Sequence, residues 1–248
     1  MENLKPLKWY KDLDTAQGRL EAAAFLVEGT RAVTQIIDGS SDQIIEILLT
    51  EDLATRYSRF PLRILTEKQL NSLSSVKTPQ GFMAVVRLPE GTYTGKIPQK
   101  TGAKILILED IQDPGNAGTL IRTAAAFDFS GIIMTEKCAD PFSPKCVQAT
   151  AGSILSLWIR RTKNYLPLIR AWQKEGYKLV AADLNGAENP ETLHSFPKIM
   201  LALGNEASGL SPNLLNISDC KIRIPLNSKK VQSLNVAACG AICMFLTR

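Results

Sequence analysis

Two apolar runs constrain what this chain of 248 residues can fold into more than anything else in it: Ile105-Leu106-Ile107-Leu108 and Ile199-Met200-Leu201-Ala202-Leu203. Both are short, and neither has a polar residue to turn toward water. That is the pattern of a strand buried on both faces, which needs helices on each side and so an α/β architecture. Each run breaks into a polar loop. The first leads into Glu109 and then Asp113-Pro114-Gly115-Asn116-Ala117-Gly118, and the second into residues 204–212, where Gly204 and Gly209 bracket Glu206. Loops at the carboxyl ends of strands are where open α/β sheets bind ligands.

The chain in order predicts two domains. Residues 1–24 read as a helical lead-in whose Lys5, Lys8, Lys11 and Arg19 form a solvated charged face. A strand at 25–28 turns at Gly29 into a helix over 30–38, with Ala32, Val33, Ile36 and Ile37 apolar. A strand at 44–49, a short helix capped by Thr50, a helix opened by Thr66 and a strand at 82–88 complete a small α/β unit. Residues 89–103 mix Pro, Gly and Thr with Lys and have almost nothing to bury, so they read as a linker. The first domain is therefore residues 1–95, with the linker running to about 103, and the second is 104–248. The second is expected to have a helix at 119–127, strands at 131–134, 154–159, 177–182 and 220–225, and an apolar C-terminal helix that opens after Asn235.

Composition narrows the function classes. No apolar run approaches the roughly 20 residues that span a bilayer. The N-terminus has no apolar signal core, and the five cysteines form no C-x-x-C pair. These features predict a cytoplasmic protein without membrane association, structural disulfides or a metal. His194 is the only histidine, which leaves His-dependent triads and metal hydrolysis without support. Residues 1–95 carry a net charge of −1 and residues 96–248 a net of +6, so a polyanion is drawn to the C-terminal part. Strand, glycine-bearing turn and helix at 104–127 suggest a phosphate cradle, but the spacing fits neither G-x-G-x-x-G nor the P-loop. Arg122, read in the first turns of a helix beginning at Thr119, opposes the helix dipole and so points to an anionic partner.

Three segments together resemble the SpoU (TrmH-like) branch of the SPOUT RNA methyltransferases. They are Asp113-Pro114-Gly115-Asn116 with Arg122-Thr123-Ala124; Leu203-Gly204-Asn205-Glu206 through Gly209-Leu210-Ser211; and Ile224-Pro225-Leu226 followed by Ser233-Leu234-Asn235. Residues 25–88 are similar to that family's substrate-binding domain. The resemblance implies methyl transfer from S-adenosyl-L-methionine to a ribose 2′-hydroxyl of RNA, with ribosomal RNA favoured over transfer RNA. It also implies a homodimer and a parallel sheet ending in a C-terminal trefoil knot. Carried over by position, Arg122, Asn116, Glu206, Ser233 and Asn235 become the catalytic candidates. Leu203, Gly204, Ile224, Leu226, Ser233 and Leu234 become the cofactor-binding ones. Arg19, Arg31, Lys229 and Lys230 are the candidate RNA contacts. Glu206 could either hold Arg122 or fix its loop by accepting backbone N–H bonds. Two positions depart from the pattern: Asp128 stands where glycine is usual, and Lys229-Lys230 replaces a neutral or acidic loop. A catalytically silent RNA-binding protein of the same fold and a dinucleotide-using metabolic enzyme are the competing readings. The retained polar set argues against the first and the missing glycine fingerprint against the second.

Overall fold

The computed structural model describes residues 5–76 and 78–248, so residues 1–4 of the lead-in lie outside it. The chain forms two compact units. One comprises residues up to Glu90 together with Asp140–Leu155, and the other Gly91–Ala139 with Ser156–Arg248.

In the first unit, α1 (Leu7–Asp12) and α2 (Ala16–Ala22) precede β1 (Ala24–Glu28), α3 (Thr30–Ser40), β2 (Ile44–Leu49), β3 (Leu62–Ile64), α4 (Glu67–Leu73) and β4 (Phe82–Arg87). The sheet order is β1-β4-β2-β3, with β4 antiparallel to both its neighbours and β3 parallel to β2. One face, including Ala24, Leu48, Met83 and Val85, packs on Tyr10, Leu13, Leu70 and Leu73 of the lead-in and α4. Val33, Ile36 and Ile37 are the buried stripe of α3, at the spacing a one-sided helix requires. Thr66 caps α4 in a reciprocal box: its hydroxyl accepts from Gln69 N at 3.3 Å while its own N–H donates to Gln69 Oε1 at 2.9 Å.

Two expectations are corrected here. Arg19 is not on a solvated face. It is 2% exposed, its Nη1 donates to the carbonyls of Leu13 and Asp14 at 2.9 Å, and its Nη2 pairs with Asp140. A guanidinium spent on these partners is not presented to RNA, because a buried charge stays charged only when it is paired. The second correction concerns the domain limits. Asp140–Leu155, including α6 (Pro144–Thr150), belongs with the first unit. Phe142 sets its ring 4.8 Å from that of Phe25, and Gly152 lies so close to the Ala32 carbonyl that a Cβ would approach to 2.6 Å. Contacts of this kind join segments far apart in sequence, so no local pattern announces them.

The second unit has β5 (Lys104–Leu108), α5 (Pro114–Ala126), β6 (Gly131–Met134), β7 (Trp158–Arg161), α7 (Tyr165–Lys174), β8 (Lys178–Ala182), β9 (Ile199–Leu203), α8 (Pro212–Ile217), β10 (Cys220–Ile222) and α9 (Val236–Phe245). Six parallel strands run in the order β10-β8-β9-β5-β6-β7. Ile105, Ile107, Leu179, Ala181, Met200 and Ala202 pack on Ile169 and Trp172 of α7 and on Leu214 of α8. The alternate residues Leu106, Leu108, Leu201 and Leu203 are equally buried on the opposite face, where α9 packs against α5 and β9. Both faces are covered, hence the unbroken apolar runs.

Three details differ from the sequence reading. Helix α5 begins at Pro114, not Thr119: Asp113 is its N-cap, accepting from Asn116 N at 2.8 Å, and proline takes the first position, where no N–H is needed. Arg122 is thus in the third turn, beyond the first-turn reach of the helix dipole, so its charge is not opposed there. The strand expected at 154–159 is β7, preceded by a 3₁₀ turn at Ser153–Leu155. Residues 91–103, read as linker, have no regular element but are tied to β7. Arg161 N donates to Thr92 O at 2.6 Å, Arg160 Nε to Lys96 O at 2.6 Å and Trp158 Nε1 to Thr101 O at 3.2 Å. Asp128 has φ of +59° at the end of α5, where Phe129 N bonds back to Ala124 O at 2.9 Å. That left-handed closure is why glycine suits the position, and aspartate is among the few side chains that tolerate it.

Candidate active site

A cavity of about 470 Å³ opens at the carboxyl ends of β8, β9 and β10, a size suited to a small organic ligand. Four stretches wall it: 182–185 after β8, 203–210 after β9, 222–226 after β10, and 232–239 leading into α9. Leu203, Gly204, Ile224, Leu226, Ser233 and Leu234 all line it, as does Glu206. The loop after β9 doubles back on itself. Asn205 and Gly209 exchange backbone bonds at 3.1 and 2.9 Å, and a Cβ on Gly204 would lie 2.3 Å from the Gly209 carbonyl carbon. Only glycine fits there, whatever occupies the cavity.

Beside the cavity, amide side chains form a directional relay. Asn235 caps α9, its Oδ1 accepting from Ala237 N at 2.9 Å and Ala238 N at 3.3 Å. Its Nδ2 must then be the group that faces Asn116, donating to Asn116 Oδ1 at 3.0 Å. Asn116 Nδ2 in turn donates to Glu206 Oε1 at 3.0 Å, while Asn205 Nδ2 reaches Glu206 Oε2 at 3.5 Å. Three catalytic candidates are therefore joined in one chain of bonds. Glu206 takes neither role foreseen for it. It holds side-chain amides, and the loop N–H groups of Ala207 and Ser208 are satisfied by Asn205 Oδ1, each at 3.0 Å.

The remaining candidates stand apart. Arg122 is exposed on α5, does not line the cavity, and among the described residues has no hydrogen-bond or ion-pair partner. Ser233 is exposed at the cavity wall. Lys229 and Lys230 are exposed in a turn organised by Asn227, whose side chain accepts from Lys229 N at 3.2 Å. Arg31 is exposed in the first turn of α3, in an open groove with Thr34, Asp38 and Gln80. His194 is exposed on a 3₁₀ turn, and the described residues contain no group of side chains placed to hold a metal.

Sequence reasoning missed Asn205 as an organiser, and with it Glu109 and Asp183. Glu109 is 4% exposed and accepts from Ser211 N at 2.6 Å, Ser211 Oγ at 2.7 Å and the Tyr165 hydroxyl. Burial, and then the bond to Glu109, push the Tyr165 hydroxyl up to about 12, so it remains a donor. Ser211 also caps α8, accepting from Leu214 N at 3.3 Å. Glu109 thereby pins the far end of the loop that walls the cavity. Each missed carboxylate directly follows the last apolar residue of a strand, a signal that was available.

The donor set defines what can bind. Apolar side chains, turn backbone and two carboxylates, Asp183 and Glu206, line the cavity, and among the described residues no lysine or arginine does. That chemistry opposes phosphates and fits a ligand with an apolar ring system and positive charge, as S-adenosylmethionine has. The profile of the SpoU rRNA methylase family matches residues 103–245, and that of the RNA 2′-O ribose methyltransferase substrate-binding domain matches 26–92. The chain belongs to the SpoU rRNA methylase family. It is 31% identical to the 23S rRNA (guanosine(2553)-2′-O)-methyltransferase RlmP of Bacillus subtilis, over 100% of this chain and 97% of that relative. An AdoMet-bound rRNA methyltransferase from Sinorhizobium meliloti superposes with a TM-score of 0.83 at 28% identity, over 98% of this chain and 93% of that one. A TrmH-family protein from Porphyromonas gingivalis gives 0.83 at 28% identity, over 100% and 98%. This SpoU-family protein is an enzyme, an S-adenosylmethionine-dependent RNA ribose-2′-O-methyltransferase. No helix among the described residues is long and apolar enough to cross a membrane.

Proposed function

We propose that this enzyme methylates a ribose of ribosomal RNA, holding its cofactor in the cavity after β8, β9 and β10. The observation that carries the site assignment is the convergence of Leu203, Gly204, Ile224, Leu226, Ser233 and Leu234 on one cavity, with the Asn235–Asn116–Glu206 relay at its edge. Similarity to RlmP over the whole chain supports ribosomal RNA as the substrate.

When bound, S-adenosylmethionine supplies an electrophilic methyl group. The protein has then to present the ribose hydroxyl in line and lower the cost of its oxyanion; positioning alone can supply about 7–11 kcal/mol. Backbone groups of the 204–210 loop would meet the edges of the adenine, and Leu203, Ile224, Leu226 and Leu234 would form its apolar bed. Arg122 binds the phosphate next to the target ribose and polarises the hydroxyl. A guanidinium rarely surrenders its proton, so the proton leaves to phosphate or water. Asn116, Asn235 and Ser233 orient the ribose, and Glu206 anchors the amides in one direction. Arg31, Lys229 and Lys230 contact the RNA backbone.

The working form is a homodimer in the cytoplasm. Helix α9 buries Ala237, Gly240, Cys243 and Met244 but leaves Ile242 40% and Phe245 51% exposed, an apolar face suited to a second copy. The chain from β10 through α9 forms the trefoil knot of the SPOUT fold.

Arg122→Ala tests the mechanism. Methyl transfer should be lost while melting temperature and S-adenosylmethionine affinity stay near those of the parent, read by nucleoside mass spectrometry of ribosomal RNA and by calorimetry. Arg122→Lys should fail as well, since it keeps the charge but not the planar fork. Transfer at near the parent rate in Arg122→Ala would overturn the assignment.

A further inference from the structure

The two carboxylates of the cavity are differently committed. Glu206 accepts from Asn116 and Asn205 side chains. Asp183 accepts only the Asn185 N–H, at 3.1 Å on Oδ1, and among the described residues no cation or further donor engages it. Its position is nevertheless built. Asp183 N donates to Ile222 O at 3.0 Å, and Gly186 N closes the turn onto Asp183 O at 3.0 Å. The turn is pressed against β10, where a Cβ on Gly186 would come within 2.6 Å of the Ile222 backbone. An underused carboxylate is thus held in the wall of a cavity lined, among the described residues, by no lysine or arginine.

We propose that Asp183 reads the sulfonium charge, so that the cavity favours the methyl donor over its demethylated product. This rests on the assignment of the cavity to the cofactor. The two ligands share adenine, ribose, ammonium and carboxylate, and differ in the methyl group and the positive charge at sulfur. A fixed negative group in a partly enclosed site discriminates between them through that charge, because water screens it less than in bulk. After transfer the attraction is gone, and the spent product leaves more readily.

Calorimetric titration of S-adenosylmethionine and S-adenosylhomocysteine tests this in parent, Asp183→Asn, Asp183→Glu and Gly204→Val proteins. Asp183→Asn should weaken the donor about three- to ten-fold and the product by less than two-fold. Asp183→Glu should restore most of the preference, and raising salt with the parent protein should shrink it. Equal losses for both ligands in Asp183→Asn would mean the carboxylate meets a group they share, which overturns the proposal, as would no change in either. Should Asp183→Asn fail to fold, the parent salt series decides: a preference for the donor that does not fall with salt overturns it. Gly204→Val separates the underlying assignment. If that protein folds and still binds both ligands as the parent does, the cavity is not the cofactor site and the assignment fails first.

Discussion

Arg19 illustrates how the role of one residue is set by its surroundings. Its guanidinium binds two carbonyls and Asp140, tying the end of α1 to the segment that carries α6. Removing one partner of a buried pair leaves an uncompensated charge, at a cost of about 3 kcal/mol or more. Arg19→Met should therefore lower unfolding free energy by roughly that amount in denaturant titrations, with the salt slope of RNA binding unchanged. A reduced salt slope with full stability would return Arg19 to the RNA surface. Tyr165 gives a pH test at the same scale. Its hydroxyl is raised from its ordinary value near 10 to about 12 in the folded protein. The folded state thus keeps its proton where the unfolded state has lost it, so this contribution is complete below pH 10 and is lost as pH rises toward 12. Tyr165→Phe should flatten that alkaline loss of stability in a melting series; an unchanged slope would show that the proton is not linked to folding.

Among the elements, α9 packs tightly against α5 and β9. A Cβ at Gly240 would lie 2.4 Å from Leu120 Cδ2 and 2.8 Å from Leu203 Cδ1, both in buried residues. Alanine there adds about 1 kcal/mol of helix propensity, whereas overpacking costs about 1–3 kcal/mol. Gly240→Ala is expected to be neutral to destabilising by up to about 2 kcal/mol. Leu203 also walls the cavity, so the same change should weaken S-adenosylmethionine binding in calorimetry. A rise in melting temperature with unaltered affinity would mean that α9 has room to move. Asn235 belongs to this scale too: it starts α9 and, through Asn116, fixes where α5 stands relative to Glu206.

Taken as a whole molecule, the charge is lopsided, with the surplus beyond residue 95. Lys229 and Lys230 are exposed in the chain between β10 and α9. Replacing both with alanine should weaken RNA binding and reduce the slope of log K against log salt by up to about two units, leaving cofactor affinity unchanged. An unaltered slope would make them solvated lysines and nothing more. Assembly has its own test in Phe245, whose ring lies 6.1 Å from that of Phe127 with Arg248 over both. If α9 pairs two copies, Phe245→Glu should shift sedimentation from dimer to monomer and reduce activity with it. A parent protein that sediments as a fully active monomer at micromolar concentration would rule the dimer out.

What the sequence by itself determined is what local patterns encode. Runs such as 105–108 and 199–203 specify strands covered on both faces, since nothing in them can face water. Asn116, Glu206, Ser233 and Asn235 were nominated as a site by the resemblance of their motifs to the SpoU family, and the loops at the carboxyl ends of the strands are where an open α/β sheet binds ligands. Tertiary structure alone decided how those residues are used. The relay from Asn235 to Glu206 links positions far apart in the chain, and its direction follows from Asn235 having its oxygen engaged as a helix cap. The burial of Arg19, the pairing of Glu109 with Ser211 and the inclusion of 140–155 in the first unit have the same origin. A charged side chain is read as solvated until the fold brings a distant partner within hydrogen-bond reach, and only the packed chain sets that distance.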